Sequence, residues 1–174
     1  MKWSEIPSYT QTANYNVDVS LEYLMVDVAR YVNYGCNLNP DFQRPIVWSS
    51  EQQSRYVEHV LKGGKSGTEI MFNCPNWMGT KELHDFVLVD GKQRLEAFRR
   101  FFANEIQAFG QYFKEFEGRM NMSTSLRFYV NNLKTRREVL QWYLDFNAGG
   151  TVHSEAEIAR VKALLDSDKK AQKP

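Results

Sequence analysis

One α/β domain, a small mixed sheet flanked by about five helices, is what this sequence predicts, and three observations carry that reading. Segments with apolar residues at helical spacing alternate with short apolar runs such as "EIMFN" and "FVLV". Serine and threonine capping boxes mark helix starts at Ser49 with Gln52, Thr135 with Glu138 and Ser154 with Glu157. The 174 residues, 43% apolar and 14% aromatic, supply one core, and no repeat, linker or composition shift divides them. Residues 1–16 read as a polar arm, 17–166 as the domain and 167–174 as a charged, fraying tail.

In chain order, Leu21, Leu24, Met25, Val28 and Val32 predict a first amphipathic helix, capped by Ser20 and stopped by Gly35. Pro40 and Pro45 then bracket Asp41-Phe42-Gln43-Arg44 and exclude a regular helix there. A second helix carries Tyr56, Val57, Val60 and Leu61 and stops at Gly63-Gly64. "EIMFN" and "FVLV" are strands, and a third helix follows with Leu95, Phe98, Phe101, Phe102 and Ile106. Leu126, Phe128 and Val130 alternate as a strand with one buried face. The last two helices carry Val139, Leu140, Tyr143 and Leu144, ending at "NAGG", and then Ile158, Val161 and Leu165.

Composition narrows the function. Twenty-two Lys and Arg against twenty-one Asp and Glu give a formal charge of +1, so any affinity for phosphate must be local. Cys36 and Cys74 form no disulfide framework and no zinc spacing, and read as buried thiols in a reducing cytoplasm. No signal segment opens the chain, and no run approaches the roughly twenty apolar residues of a membrane span. The expectation is a soluble, cytoplasmic protein with no membrane partner.

"KGGKSGT" at 62–68 imitates a phosphate-binding P-loop but lacks its first glycine, since His59 stands there, and it runs from helix to strand instead of strand to helix. It reads as a helix stop. "FVLVDGKQRLEAFRRFF" has the right order. A strand delivers Asp90 to a sheet edge, Gly91 permits a tight turn, and the first helical turn offers its unpaired N–H groups. Lys92 and Arg94 have the wrong sign for a helix start unless an anion sits there. Two plainer readings stand beside this one: Arg94 pairs with Asp90, and Arg44 in "DFQRP" sits in a buried ion pair.

These residues carry a resemblance. "NPDFQRPIVWSSEQQSRYVEHVLKG", "FVLVDGKQRLEAFRRFF" and "FNAGGTVHSEAEI" resemble, in order and across about residues 17–165, the three signature blocks of the GmrSD-type N-terminal domain family of the ParB/sulfiredoxin-like superfamily. The second block departs from the family's Asp-Gly-Gln-Gln-Arg by having Lys92 after the glycine. The resemblance implies a phosphate-handling groove used in restriction systems, with ATP or another nucleoside triphosphate and Mg²⁺ as cofactors. It implies hydrolysis of that nucleotide, or transfer of its γ-phosphoryl group to an acceptor such as a modified base in DNA.

Under it, Arg44 and Arg94 grip phosphate oxygens as bidentate forks, while Gln43 and Gln93 orient them or position a water. Asp90 holds Mg²⁺ or takes a proton from the attacking group. Gly91 and Lys92 line the phosphate site, and Asn147, Gly149 and Gly150 close the groove. DNA and a restriction or modification protein are the further partners implied. His59, His84 and His153 are widely spaced and form no nuclease cluster. A competing reading is a non-catalytic module that senses DNA, with Arg99-Arg100 and Arg136-Arg137 as phosphate contacts, or that mimics a restriction subunit.

Overall fold

Strand alternation decides the first element. The computed structural model describes residues 15–79, 82–147 and 155–171. Tyr15, Val17 and Val19 alternate with Asn16, Asp18 and Ser20, and this stretch is a strand, β1 (Tyr15–Ser20). Strand β1 takes in Tyr15 and Asn16, the last two residues of the expected arm. Ser20 closes the strand rather than capping a helix, and its hydroxyl is buried without a hydrogen-bond partner. A short 3₁₀ turn at Leu21–Tyr23 leads into α1 (Leu24–Asn33), which stops at Gly35 as predicted.

The following elements are α2 (Ser50–Leu61), β2 (Glu69–Asn73), β3 (Val87–Asp90), α3 (Lys92–Phe102), β4 (Ser125–Asn131), α4 (Arg136–Asn147) and α5 (Glu155–Ala171). The Ser49 and Gln52 box opens α2, and Thr135 with Glu138 opens α4 through reciprocal bonds of 3.2 and 2.9 Å. Ser154, of the third box, lies outside the described residues. Two predicted ends move. Helix α3 ends at Phe102, before Ile106, and α5 continues through the predicted tail as far as Ala171.

The four strands form one mixed sheet in the order β1-β4-β2-β3. Strands β1 and β4 pair antiparallel, β4 and β2 parallel, and β2 and β3 antiparallel. Period two then sorts the side chains into two cores. Val19, Ile70, Phe72, Leu88, Leu126 and Phe128 meet α1, α2 and α3 on one face. Met71, Val87 and Val89 meet α4 and α5 on the other. Strand β3 is covered on both faces, which is why its sequence is an unbroken apolar run. On the outer face of the β1–β4 half, Arg127 donates to both Asp18 oxygens at 2.7 and 2.8 Å.

Candidate functional site

The site is built where β3 turns into α3. Gly91 has φ +104°, the left-handed region, and a Cβ there would stand 2.6 Å from Ile70 Cδ1 and 3.3 Å from Ile70 Cα. Only glycine fits both the turn and the approach of β2. Helix α3 therefore starts abruptly at Lys92, with no side-chain cap and no acidic residue in its first turn. The N–H groups of that turn have no intrahelical acceptor.

The first motif block lies along β3. Leu88 N–H donates to Asn37 O at 3.0 Å, and Asn37 N–H donates to Phe86 O at 2.8 Å. Phe42 drops into the second core against Tyr143, ring centroids 5.2 Å apart, and its burial contributes about 1.5–3 kcal/mol to holding the loop. Gln43 Nε2 donates to Leu88 O at 2.6 Å. Gln93 Oε1 accepts from Val47 N–H at 3.0 Å and Trp48 N–H at 3.2 Å, and its Nε2 donates to Pro45 O at 2.9 Å. Lys92 Nζ donates to Arg44 O at 3.2 Å. The two glutamine amides fasten the 43–48 segment to the β3–α3 junction. The two motif blocks are thereby one rigid unit.

The cations divide around Asp90. Arg94 donates to Asp90 Oδ2 at 2.7 Å and to Glu69 O, so its guanidinium is engaged inside the protein, as the plainer reading of the spacing has it. Both charges reach the Tyr56 phenol, whose pKa burial pushes up, with Arg94 opposing the rise and Asp90 adding to it. Arg44 lies on the Tyr143 side. Burial raises the Tyr143 phenol to about 12, with Asp90 and Glu157 adding to the rise and Arg44 and Arg160 opposing it. The Arg44 guanidinium makes no hydrogen bond or ion pair among the described residues, so the buried ion pair considered for it is not formed there. Arg94 is thus engaged with Asp90 and the β2 backbone, while the Arg44 charge is felt at Tyr143.

A fourth cation joins from the last helix. Arg160 on α5 donates to Asp41 O at 2.9 Å, Phe42 O at 3.1 Å and Gln43 O at 3.0 Å. Burial and the nearby Arg160 charge lower the Lys92 pKa. Arg160 was not legible as a site residue. The one signal is its position next to Val161, at the border of the helix's buried stripe. Among the described residues, Arg44, Lys92, Arg94 and Arg160 gather near the carboxylates of Asp90 and Glu157.

Other candidates fall elsewhere. Asn147 ends α4, and its side chain, Gly149 and Gly150 lie outside the described residues. Arg99 is held by Glu96 and Glu105, Arg100 by Glu105 and Gln53, and Arg136 by Asp41. These arginines, the proposed DNA contacts, are engaged with partners in the protein, whereas Arg137 is exposed. The P-loop look-alike is a helix stop with Gly63 at φ +84° and Ser66 bonded to His59 at 3.1 Å. Among the described residues no three His, Cys, Asp or Glu side chains gather to hold a metal, and no helix is long and apolar enough to cross a membrane.

A family model described as the GmrSD restriction endonuclease, N-terminal domain, matches residues 28–143, which hold both motif blocks of this site. The chain belongs to that family. No match was found among curated proteins or among solved structures. Membership gives this GmrSD N-terminal domain a restriction-related setting. The matched span ends before α5, so Arg160 reaches the GmrSD motif loop from outside it.

Proposed function

We propose that this domain binds the phosphates of ATP or another nucleoside triphosphate beside the β3–α3 junction. There it hydrolyses the nucleotide or passes its γ-phosphoryl group to an acceptor such as a modified base in DNA. The observation that carries this reading is the Arg44 guanidinium, unpaired among the described residues, in a cluster with Lys92 and Arg160. Uncompensated cations at a rigid loop are costly to hold together without an anion, and a guanidinium takes phosphate oxygens two at a time. The uncapped first turn of α3 adds N–H donors of the same preference.

The residues also fit a magnesium ion. Asp90 Oδ2 is occupied by Arg94, while Oδ1 accepts no hydrogen bond among the described residues. One carboxylate oxygen is what Mg²⁺ commonly takes from a protein when phosphate and water fill the rest of its shell. When bound, the ion neutralises phosphate charge. Arg94 then acts as a positioning residue, keeping the Asp90 carboxylate oriented so that Oδ1 either holds the ion or accepts the proton of the attacking water or hydroxyl. Lys92, where the family has glutamine, adds charge at the helix start. DNA and a restriction or modification protein are the further partners this reading admits.

The test is release of phosphate from γ-labelled ATP with Mg²⁺, with and without DNA. Label in free phosphate marks hydrolysis, and label in DNA marks transfer. Arg44→Ala and Asp90→Ala should each lower the rate about 10²-fold, the scale of losing one stabilising group. Unchanged activity in both variants refutes the assignment.

A further inference from the structure

We infer that the "KGGKSGT" turn and the start of β4 enclose a second site for a phosphate group, separate from the β3–α3 junction. The motif loop of the junction leads into α2 and the turn leaves it, so the 12 residues of that helix, about 18 Å, stand between the two places. Between the turn and residues 121–125 lies a cavity of about 130 Å³, whose polar side chains are Lys62, Lys65, Asn121, Ser123, Thr124 and Ser125. No Asp or Glu is among its lining residues. At roughly 30 Å³ per water the cavity has room for about four waters, which fits one tetrahedral oxyanion. It is well below the roughly 300–1,000 Å³ of pockets that enclose a larger ligand, so a whole nucleotide does not enter.

Both walls are held in place without using these donors. In the turn, Ser66 Oγ and His59 Nε2 are bonded at 3.1 Å, Tyr56 Oη donates to Gly67 O at 2.9 Å, and Thr68 Oγ1 donates to Lys65 O at 3.1 Å. Across the cavity, Asn121 Oδ1 accepts from Ser123 N–H at 3.0 Å and Ser123 Oγ at 2.8 Å, and Thr124 O accepts from Leu21 N–H at 3.0 Å. Left over are Asn121 Nδ2, the Thr124 and Ser125 hydroxyls and the Lys65 ammonium, none of which makes a hydrogen bond or ion pair among the described residues. Thr124 is only 8% exposed, so a buried residue of the wall keeps a hydroxyl with no protein partner. The Lys62 ammonium stands 5.1 Å over the Phe109 ring. The Lys65 charge reaches Asp18, but that carboxylate is taken by Arg127, whose hydrogen bonds are the main cause of its lowered pKa. The carbonyl end of α2 opposes an anion, yet its last carbonyls are already occupied. Lys62, Gly63 and Gly64 N–H donate to Glu58, Val60 and His59 O at 3.0, 2.9 and 2.9 Å. Two ammonium groups with amide and hydroxyl donors, and no carboxylate between them, suit phosphate, which lysine binds as a point charge.

The test is a titration of the full-length chain with inorganic phosphate, followed by backbone amide NMR shifts, beside sodium chloride at equal ionic strength. Amides of residues 62–66 and 121–125 should shift along one saturable curve with phosphate and not with chloride. Lys65→Met with Ser125→Ala removes an ammonium and a hydroxyl that no protein group bonds, so the melting temperature should stay within about 2 °C. Phosphate affinity read at these amides should fall at least about 10-fold in that variant, the scale of losing a hydrogen bond to a charged group. Shifts at Lys92 and Gln93 report the junction instead; they should persist in the double variant and be lost in Arg44→Ala. A short DNA duplex at low salt separates the two sources of phosphate. Amides 62–66 and 121–125 respond to it when the phosphate belongs to a DNA backbone and only to the free ion otherwise, and either result upholds the site. No response there to phosphate or DNA, an equal response to chloride, or unchanged affinity in the double variant overturns it, whatever happens at the junction.

Discussion

Replacing Gly91 by alanine tests the junction on which the site depends. The new methyl group meets two obstacles. At φ +104° an L-residue carries backbone strain of about 1–3 kcal/mol. Its Cβ also falls 2.6 Å from Ile70 Cδ1, 3.2 Å from Ile70 Cγ2 and 3.3 Å from Ile70 Cα, and the last of these is backbone of β2 that cannot swing aside. Overpacking of this kind costs about 1–3 kcal/mol. Together Gly91→Ala should destabilise the fold by about 2–6 kcal/mol, which for a chain this long lowers the melting temperature by about 4–24 °C. Ile70→Val removes only the nearest atom. Alone it costs about 0.5–1.5 kcal/mol, but combined with Gly91→Ala it relieves part of the overlap, so a double-mutant cycle by urea unfolding should return a favourable coupling of about 1 kcal/mol or more. The backbone strain persists in the double variant. Additive losses, or a Gly91→Ala protein within about 0.5 kcal/mol of wild type, would refute this geometry.

Two further outcomes follow from the same junction. Gln93→Ala leaves the Val47 and Trp48 N–H groups without their acceptor and should destabilise by about 1–3 kcal/mol. Hydrogen exchange at those two amides should accelerate at least about 10-fold, and unchanged exchange would show that the amide does not hold the loop. Lys92 predicts a pH dependence of known sign. Its folded pKa lies below the ordinary 10.5 because burial and Arg160 disfavour the ammonium, so between the lowered value and 10.5 the folded state binds fewer protons than the unfolded chain. Stability from this group therefore rises with pH through that window, and the rise should vanish in Lys92→Met. A bound phosphate favours the ammonium, so ATP affinity should fall with pH over the same window. Parallel pH curves for wild type and Lys92→Met would contradict both statements.

Much of the scaffold was readable because it depends on contacts within a few residues. Capping at Ser49 and Thr135, the helix stop at Gly35 and the strand, glycine, helix order at Asp90–Lys92 are local chemistry. The Asp90–Arg94 pair spans one helical turn and was among the readings that spacing allows. Strand β1 was missed because the helical spacing from Leu21 onward masked the alternation of Tyr15, Val17 and Val19. Pairing of Val17 with Phe128 decides that alternation from across the chain.

By itself the sequence determined the residue types at the site and the order of the elements that carry them, since backbone preference and side-chain spacing act along the chain. Tertiary structure decided their tasks. Gln93 reaches residues 45–48 and Arg160 reaches 41–43 only because β3 and α5 both pack beside the motif loop. A hydrogen bond saturates its donor, so a glutamine or arginine that has met the backbone has fewer donors left for a ligand. How many donors each guanidinium has already committed, two for Arg94 and none for Arg44 among the described residues, depends on distances between segments that no local pattern encodes.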